Sequence, residues 1–403
     1  MTAIGEAVDY VVLIQDCTDS VTAFTPSAPI IAELNYSSLN WSRRQNDVSK
    51  ASCVVPVDCV DVPLKGWDYV MGVYRNGEVQ WSGPITGWTV SKSGQLEIAA
   101  SDIFAWAKKR FVYQDTDLSD VDLWAYLTEL FSDLQASHSE YAPWAYLNPG
   151  NVHPGSTFGL DVSVALKASE LRRVYDVMND FVEAYGLFFT ALPASAWYDD
   201  AALELAVPLS DHDIYGDPSI TVDCEGTART LYLASDQAGS HGYQTTEAVF
   251  LSPSVVPPYT EFVQETVSEQ PPQASDTSSS FELKAAKLRA LADVLYPKVA
   301  IEKVTLAPSF GGGVSGFNGM NTLIPGLTVR WSVADLDLDI PSAVVRASNR
   351  NNRTDILTDP TEYLTIGTSQ IVRLTEVDVS VSLAEDGMTE DVTVQFVPWA
   401  EES

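Results

Sequence analysis

The chain has 403 residues, with 23 Lys and Arg against 55 Asp and Glu, and a formal net charge of −32. That length suffices for two or three domains with a sizeable core. So one-sided a charge argues against direct nucleic-acid binding, which needs clustered cations to replace phosphate counterions, and against anionic membrane surfaces.

Residues 10–100 read as strands. Val11, Val12, Leu13 and Ile14 form a short apolar run suited to a buried strand, and Ser52 to Pro56 form another. Apolar residues then alternate at Tyr69, Met71 and Val73 and again at Val79 and Trp81, either side of Asn76-Gly77. That dipeptide most readily takes the positive φ of a tight hairpin turn. Pro84 cannot donate to a ladder, so the second strand must bulge, bend or lie at an edge there. Ser93-Gly94 turns the chain into Gln95–Ala99. The pattern predicts a small antiparallel β-barrel.

At Ser101 the period changes from two to about 3.6. Ser101 or Asp102 can cap a helix holding Phe104, Trp106 and Phe111. Ser119 and Asp122 have capping-box spacing, predicting a second helix with Val121, Trp124, Leu127, Leu130, Phe131 and Leu134 on one face. A third helix is expected from about Ser169 to Tyr185, stopped at Gly186. Short strands return over 187–266, and 267–280 is a polar loop. Ser279 and Glu282 open a helix Phe281–Tyr296, and strands are expected at 299–306, 327–333, 336–340, 343–347, 371–383 and 392–397. The expected fold is α+β and mainly β: antiparallel β-barrel domains with a helical insertion. The expected divisions are 1–100, an amino-terminal barrel; 101–186, the helical insertion; 187–266, a β-rich domain that completes the first barrel or lies peripheral to it; and 267–403, a helix plus a second barrel.

The candidate chemistry is thin. Gly311, Gly313 and Gly316 satisfy G-x-G-x-x-G, but no helix opens after them, and a flexible loop is expected rather than a nucleotide site. Asp335, Asp337 and Asp339 alternate along a predicted strand; they form a weak candidate for a hard cation or, more simply, a solvated face. Asp211-His212-Asp213 reads as a polar turn, and no metal or triad spacing surrounds any of the four histidines. The large aromatics Trp41, Trp67, Trp81, Trp88, Trp106 and Trp124 are expected in the core. Trp144, Tyr146, Trp197 and Tyr198 are expected in loops, as contact points. Arg350 and Arg353 mark a basic loop that could anchor an acidic neighbour. Cys17, Cys53, Cys59 and Cys224 make no zinc spacing; Cys53 and Cys59 could meet across a bend, though free thiols suit a reducing compartment better. No apolar run approaches the roughly 20 residues that span a bilayer. Met1–Asp9 has neither the basic nor the apolar part of a secretory signal, so synthesis in a cytoplasm is expected, with no membrane anchoring. No cofactor and no enzymatic activity are expected.

Three stretches carry a resemblance. Tyr74-Arg75-Asn76-Gly77 followed by Trp81-Ser82-Gly83-Pro84-Ile85 is similar to a run in the minor tail proteins of long-tailed phages that infect actinobacteria. Trp41-Ser42-Arg43 leading to Asp47 and Ser49, and Asp102, Trp106 and Arg110 entering a helix, resemble two further segments of that family. The resemblance covers residues 30–112. It implies a structural virion protein, the tail-tip (baseplate) hub of a non-contractile tail, built as a homotrimer. The implied partners are the distal tail ring, the tape-measure protein and receptor-binding proteins, with phage DNA only passing through the lumen. Since the sequence ends soon after its last β segment, no following hydrolase domain is expected. The alternatives are a carbohydrate- or receptor-binding adhesin module using the loop aromatics and, third, a cell-wall hydrolase.

Overall fold

A computed structural model of the chain describes residues 4, 9–16, 29–61, 63–112, 115–123, 125–126, 130, 161–185, 188–193, 195–199, 203–216, 220–223, 230–235, 244–250, 261–266, 298–331, 346–348, 363–365, 370–384 and 387–398. The amino-terminal strands are β1 (Tyr10–Asp16), β2 (Ile30–Leu34), β3 (Ser38–Arg44), β4 (Lys50–Pro56), β5 (Tyr69–Arg75), β6 (Glu78–Val90) and β7 (Gln95–Ser101). Then come helix α1 (Phe104–Ala107), strands β8 (Thr116–Asp122) and β9 (Asp161–Leu166), and helix α2 (Val174–Tyr185). Next follow β10 (Phe188–Leu192), β11 (Ser195–Asp199), β12 (Leu203–Pro208), β13 (Ile214–Tyr215), β14 (Ile220–Asp223), β15 (Thr230–Ser235), β16 (Gln244–Phe250) and β17 (Glu261–Thr266). The last strands are β18 (Lys298–Leu306), β19 (Leu327–Trp331), β20 (Arg346–Ser348), β21 (Tyr363–Thr365), β22 (Gln370–Ala384) and β23 (Gly387–Pro398).

The fold is mainly antiparallel β with few helices. Among the described residues, 14 strands share one sheet in the order β13-β18-β23-β22-β3-β4-β7-β6-β5-β1-β2, with β12, β14 and β19 attached beside it. The two ends of the chain are therefore neighbours: Val379 in β22 pairs with Trp41 in β3, and Val377 with Arg43. One apolar cluster lies along one face of the sheet. It runs from Val12, Ile14, Trp41 and Cys53 through Met71, Trp81 and Ile98 to Val379, Val394 and Phe396. The alternation predicted along these strands produces that cluster, since every second side chain points to the same face.

The β5–β6 hairpin forms as its sequence dictates. Asn76 and Gly77 both have positive φ, 51° and 82°. Pro84 marks a change of partner: β6 pairs with β5 as far as Val70↔Pro84 and with β7 from Ile85↔Ala100 onward, with a register shift between Ile85 and Gly87. A residue without an N–H sits where one ladder stops and the next starts.

Within 101–186 the described residues place the helices differently from the expectation. Helix α1 is one turn long, and Phe111 beyond it is 45% exposed instead of packed. Residues 116–122, expected to open a helix at Ser119, form β8 and pair with β9. Helix starts one step later, at residue 123, where Asp122 Oδ1 accepts the Ala125 N–H at 3.2 Å. Asp122 is thus the cap, and Ser119 lies on the strand. The third helix begins at Val174, after a 3₁₀ turn at Ala168–Glu170. A second apolar cluster holds this region together, with Phe104, Trp106, Leu123, Tyr126, Val174, Met178 and Phe189 packed on Val48 in the β3–β4 turn and Val70 in β5. The expected helix at 281–296 and the expected strand at 336–340 lie outside the described residues. Strands β18, β19, β20, β22 and β23 overlap the expected ones.

Candidate functional site

The residues that carried the resemblance converge on three buried polar nodes. The first centres on Arg43, which shares the inward face of β3 with Trp41 and is 3% exposed. Its Nη1 donates to the carbonyls of Met320 at 2.8 Å and Leu323 at 2.7 Å, and its Nη2 to the carbonyl and Oε1 of Gln80 at 3.0 and 3.2 Å. The guanidinium lies 5.1 Å from the Trp41 ring centroid. Burial pulls its pKa down to about 10, so it stays charged at neutral pH. A buried cation facing four oxygens ties the loop 307–326 to β3 and β6. Gln80 and Glu78 extend the tie, through Gln80 Nε2 to Asn321 Oδ1 at 2.8 Å and Asn321 Nδ2 to Glu78 Oε2 at 2.6 Å.

That loop contains the glycine pattern 311–316, and it is packed. Phe310 and Phe317 meet edge to face at 5.4 Å and belong to the main core with Met320 and Leu323. Gly311 has φ +72°, and a Cβ there would lie 2.2 Å from the Phe317 ring. At Gly311 glycine is required by packing, while Gly312, Gly313 and Gly316 are exposed in a loop between β18 and β19.

The second node joins the two ends of the chain. Arg75 in β5 donates through Nε and Nη2 to the two carboxylate oxygens of Glu390 in β23, each at 2.9 Å, and the Tyr10 hydroxyl donates to the same carboxylate. All three are buried. Burial works against the Arg75 charge, and the Glu390 hydrogen bonds and charge outweigh it, holding the guanidinium above its ordinary pKa. Burial and then the Glu390 charge push the Tyr10 phenol upward. Side chains thus bridge β1 and β5 to β23 where no ladder between these strands does. Glu390 was not singled out from the sequence, because no local pattern marks a single inward carboxylate on a strand.

The third node is Asp102, 1% exposed. Its carboxylate accepts the Ser49 N–H at 2.6 Å and the Phe104 N–H at 2.9 Å, fastening the β3–β4 turn to the start of α1. Burial pushes its pKa up to about 7 against those hydrogen bonds. Gly83 explains why this node sits so close to β6: a Cβ there would lie 1.9 Å from the Ser101 carbonyl oxygen.

On the opposite face of the same strands lies an open groove of about 570 Å³, lined among others by Asn40, Ser42, Ser52, Ser380, Asp378 and Asp391. Beside it, Arg44 and Lys303 pair with Glu376 and Asp378 at 2.6–3.4 Å.

The sequence candidates are placed as follows. Trp197 and Tyr198 lie in β11, opposite Thr190 and Phe189, so a strand replaces the expected loop. Trp144, Tyr146, Arg350, Arg353, Asp335, Asp337 and Asp339 lie outside the described residues. Asp211–Asp213 forms a 3₁₀ turn capped by Ser210, whose N–H donates to Asp213 Oδ2 at 2.8 Å. Trp41, Trp81 and Trp106 are in the core, but Trp88 is 46% exposed where β6 runs past β5. Cys53 and Cys59 are free thiols. Among the described residues no group of three or more His, Cys, Asp or Glu could hold a metal ion, and no helix is long and apolar enough to cross a membrane.

No protein-family profile matches the sequence, and no curated protein matches it. Solved structures do share its fold. A tail protein from Neisseria meningitidis MC58 aligns over 96% of this chain and 96% of its own, with TM-score 0.56 at 11% identity. The 43 kDa tail protein of prophage MuSo2 from Shewanella oneidensis aligns over 95% and 97%, with TM-score 0.51 at 9% identity. A prophage tail protein from Listeria monocytogenes aligns over 95% and 94%, with TM-score 0.51 at 11% identity. From end to end, this chain has the fold of phage tail proteins.

Proposed function

We propose that the chain is a structural protein of a phage tail and, within the tail, the tip or baseplate hub that closes the distal end of the tube. The observation that carries this reading is the fold likeness over 96% of both chains to a solved tail protein. The buried nodes support it: the residues behind the actinophage resemblance serve to lock a sheet, not to do chemistry on a substrate. In this reading three copies surround a three-fold axis, and their repeated β domains continue the symmetry of the tube. The distal tail ring lies above, the tape-measure end in or near the lumen, and receptor-binding proteins below. Residues 1–100, 187–266 and 267–403 build the β domains, and 101–186 are the insertion. The inward face of the sheet is filled by apolar side chains and by Arg43, and in this reading the passage for DNA lies between protomers. An acidic wall lets DNA pass without binding. Trp144, Tyr146, Trp197, Tyr198, Arg350 and Arg353 are the proposed contact points for neighbouring proteins.

Native mass spectrometry with negative-stain imaging of the purified protein tests the reading. A three-subunit ring with a central hole is expected. A monomer that binds glycans saturably, or turnover of cell-wall polymer lost on changing one carboxylate, would replace it.

A further inference from the structure

The chain has two apolar cores, and one short turn joins them. The first lies along the sheet; the buried side chains of the second come from residues 103–191, apart from Val48 and Val70. Val48 sits in the β3–β4 turn, and its neighbours in the turn reach the elements of the second core as well. The Asn46 N–H donates to the Phe189 carbonyl at 2.9 Å, and Asn46 Oδ1 accepts the Phe189 N–H at 2.9 Å. The Asn46 carbonyl accepts the Tyr175 hydroxyl at 3.0 Å. Asp47 Oδ1 accepts from Lys108 Nζ at 3.1 Å. The Ser49 N–H donates to Asp102 Oδ2 at 2.6 Å, and the Ser49 carbonyl accepts the Asp102 N–H at 2.9 Å. Four consecutive residues therefore hold β10, α2 and the two ends of α1.

The turn is anchored to the sheet by the Gln45 N–H, which donates to the Thr375 carbonyl at 2.9 Å. It is closed on itself by the Arg44 N–H, which donates to Ser49 Oγ at 3.0 Å. Asn46 has φ 56°, in the left-handed region that asparagine tolerates and glycine adopts freely.

Asp102 gives these links a dependence on pH. It is 1% exposed, and its charge faces the N–H groups of Ser49 and Phe104. Among the described residues no basic side chain pairs with it. Lys108, at the end of α1, pairs with Asp47 and lies 4.3 Å from the Tyr175 ring of α2. Strand β6 approaches through Gly83, which has no side chain, and β10 through Phe189, which meets Phe104 at 4.6 Å. Burial, and after it the like charge of Asp47, push the Asp102 pKa up to about 7 against its hydrogen bonds. Burial works against the Asp47 charge too, but the Val48 N–H and Lys108 outweigh it and hold that carboxyl below its ordinary value. An ionised carboxylate in a dry site gains by reaching water. For Asp102 that requires Ser49 and Phe104 to part, so opening of the turn is coupled to the loss of a proton.

We propose that the β3–β4 turn is a latch between the sheet and the second core, and that ionisation of Asp102 favours its opening while both cores stay folded. The latch goes beyond the hub reading and does not depend on it. At acid pH Asp102 is neutral and the latch is shut. The opened population rises with pH through the range in which Asp102 ionises, and is level above it.

The test is hydrogen exchange of the full chain, read by mass spectrometry from about pH 5 to about pH 8 and corrected for the intrinsic rate at each pH. Peptides covering 45–49, 103–107 and 188–191 should lose protection together, by about tenfold per pH unit up to about pH 7 and no further. The β22–β23 ladder should stay more protected than these peptides, by about tenfold or more, at every pH. Asp102→Asn should remove the pH dependence of the three peptides. Asn46→Gly, which keeps the backbone geometry and loses the Oδ1 bond to Phe189, should lower protection at Ser49 and Phe104 about three- to tenfold with the slope unchanged. It also serves as the test if Asp102→Asn does not fold. Protection independent of pH in wild type overturns the proposal. So does equal protection of the three peptides and the β22–β23 ladder, which would mean that they open only when the whole chain unfolds. Asn46→Gly loosening Phe189 alone, with Ser49 and Phe104 unchanged, would show separate contacts in place of one latch.

Discussion

The sheet and the insertion treat positive charge in opposite ways. In the sheet, Arg43 and Arg75 are buried, and each is met by oxygens at 2.7–3.2 Å. In the insertion, Lys109 and Arg173 lie at the surface beside exposed Phe111 and Leu171. A buried guanidinium is costly to desolvate and its acceptors offset part of that cost, so it specifies how segments meet within one chain. An exposed one costs the monomer little. The difference separates residues that hold the protomer from residues whose removal should leave it intact.

The largest effect is expected at Glu390. Replacing it with Gln leaves Arg75 buried without its counter-charge, and stability to urea should fall by about 3–5 kcal/mol. Glu390→Met combined with Arg75→Met should cost less than the sum of the single changes, which a double-mutant cycle reads directly. If the single change costs nothing measurable, the node does not hold the two ends together. Arg43→Met comes next. It orphans the Met320 and Leu323 carbonyls, and a loss of about 1.5–3 kcal/mol is expected, with faster proteolysis within 307–326.

Asp102 offers a pH-dependent test. Burial raises its folded pKa to about 7, above the ordinary carboxylate value of 3.8. Between those values the native state binds more protons than the unfolded state, so this group favours folding at acid pH. Its contribution is lost as pH rises through the window, at up to about 1.4 kcal/mol per pH unit, and is level above it. Urea titrations of wild type and Asp102→Asn at several pH values should differ by that slope; parallel curves would contradict the assignment. The smallest effect is expected at the surface. Phe111→Ser should change protomer stability by no more than about 0.5 kcal/mol, because its exposed ring holds little of the fold. A large stability loss there would blur the distinction between the two regions.

What the sequence made legible follows from how local each signal is. The Asn76-Gly77 turn, the alternation around it and the partner change at Pro84 are written in adjacent residues, and the structure has all of them. Residues 119–122 share a helical period with the helix that starts at 123, whereas their strand depends on β9, far along the chain. The same distance hid the latch. Nothing local to the turn 46–49 points to Lys108 or Phe189. Arg43, Arg75, Gly83 and Asp102 were visible as a pattern, but their work inside the sheet needed Gln80, Met320, Leu323 and Glu390, which no spacing connects to them.

The most direct test of the central claim is the position of the protein in a phage particle, by cryo-electron microscopy of tails with the chain fitted into the tip. The account predicts three copies at the distal end of the tube, with the DNA path running between protomers. Density for this chain elsewhere in the particle, or as isolated single copies at the periphery of the tip, would contradict it.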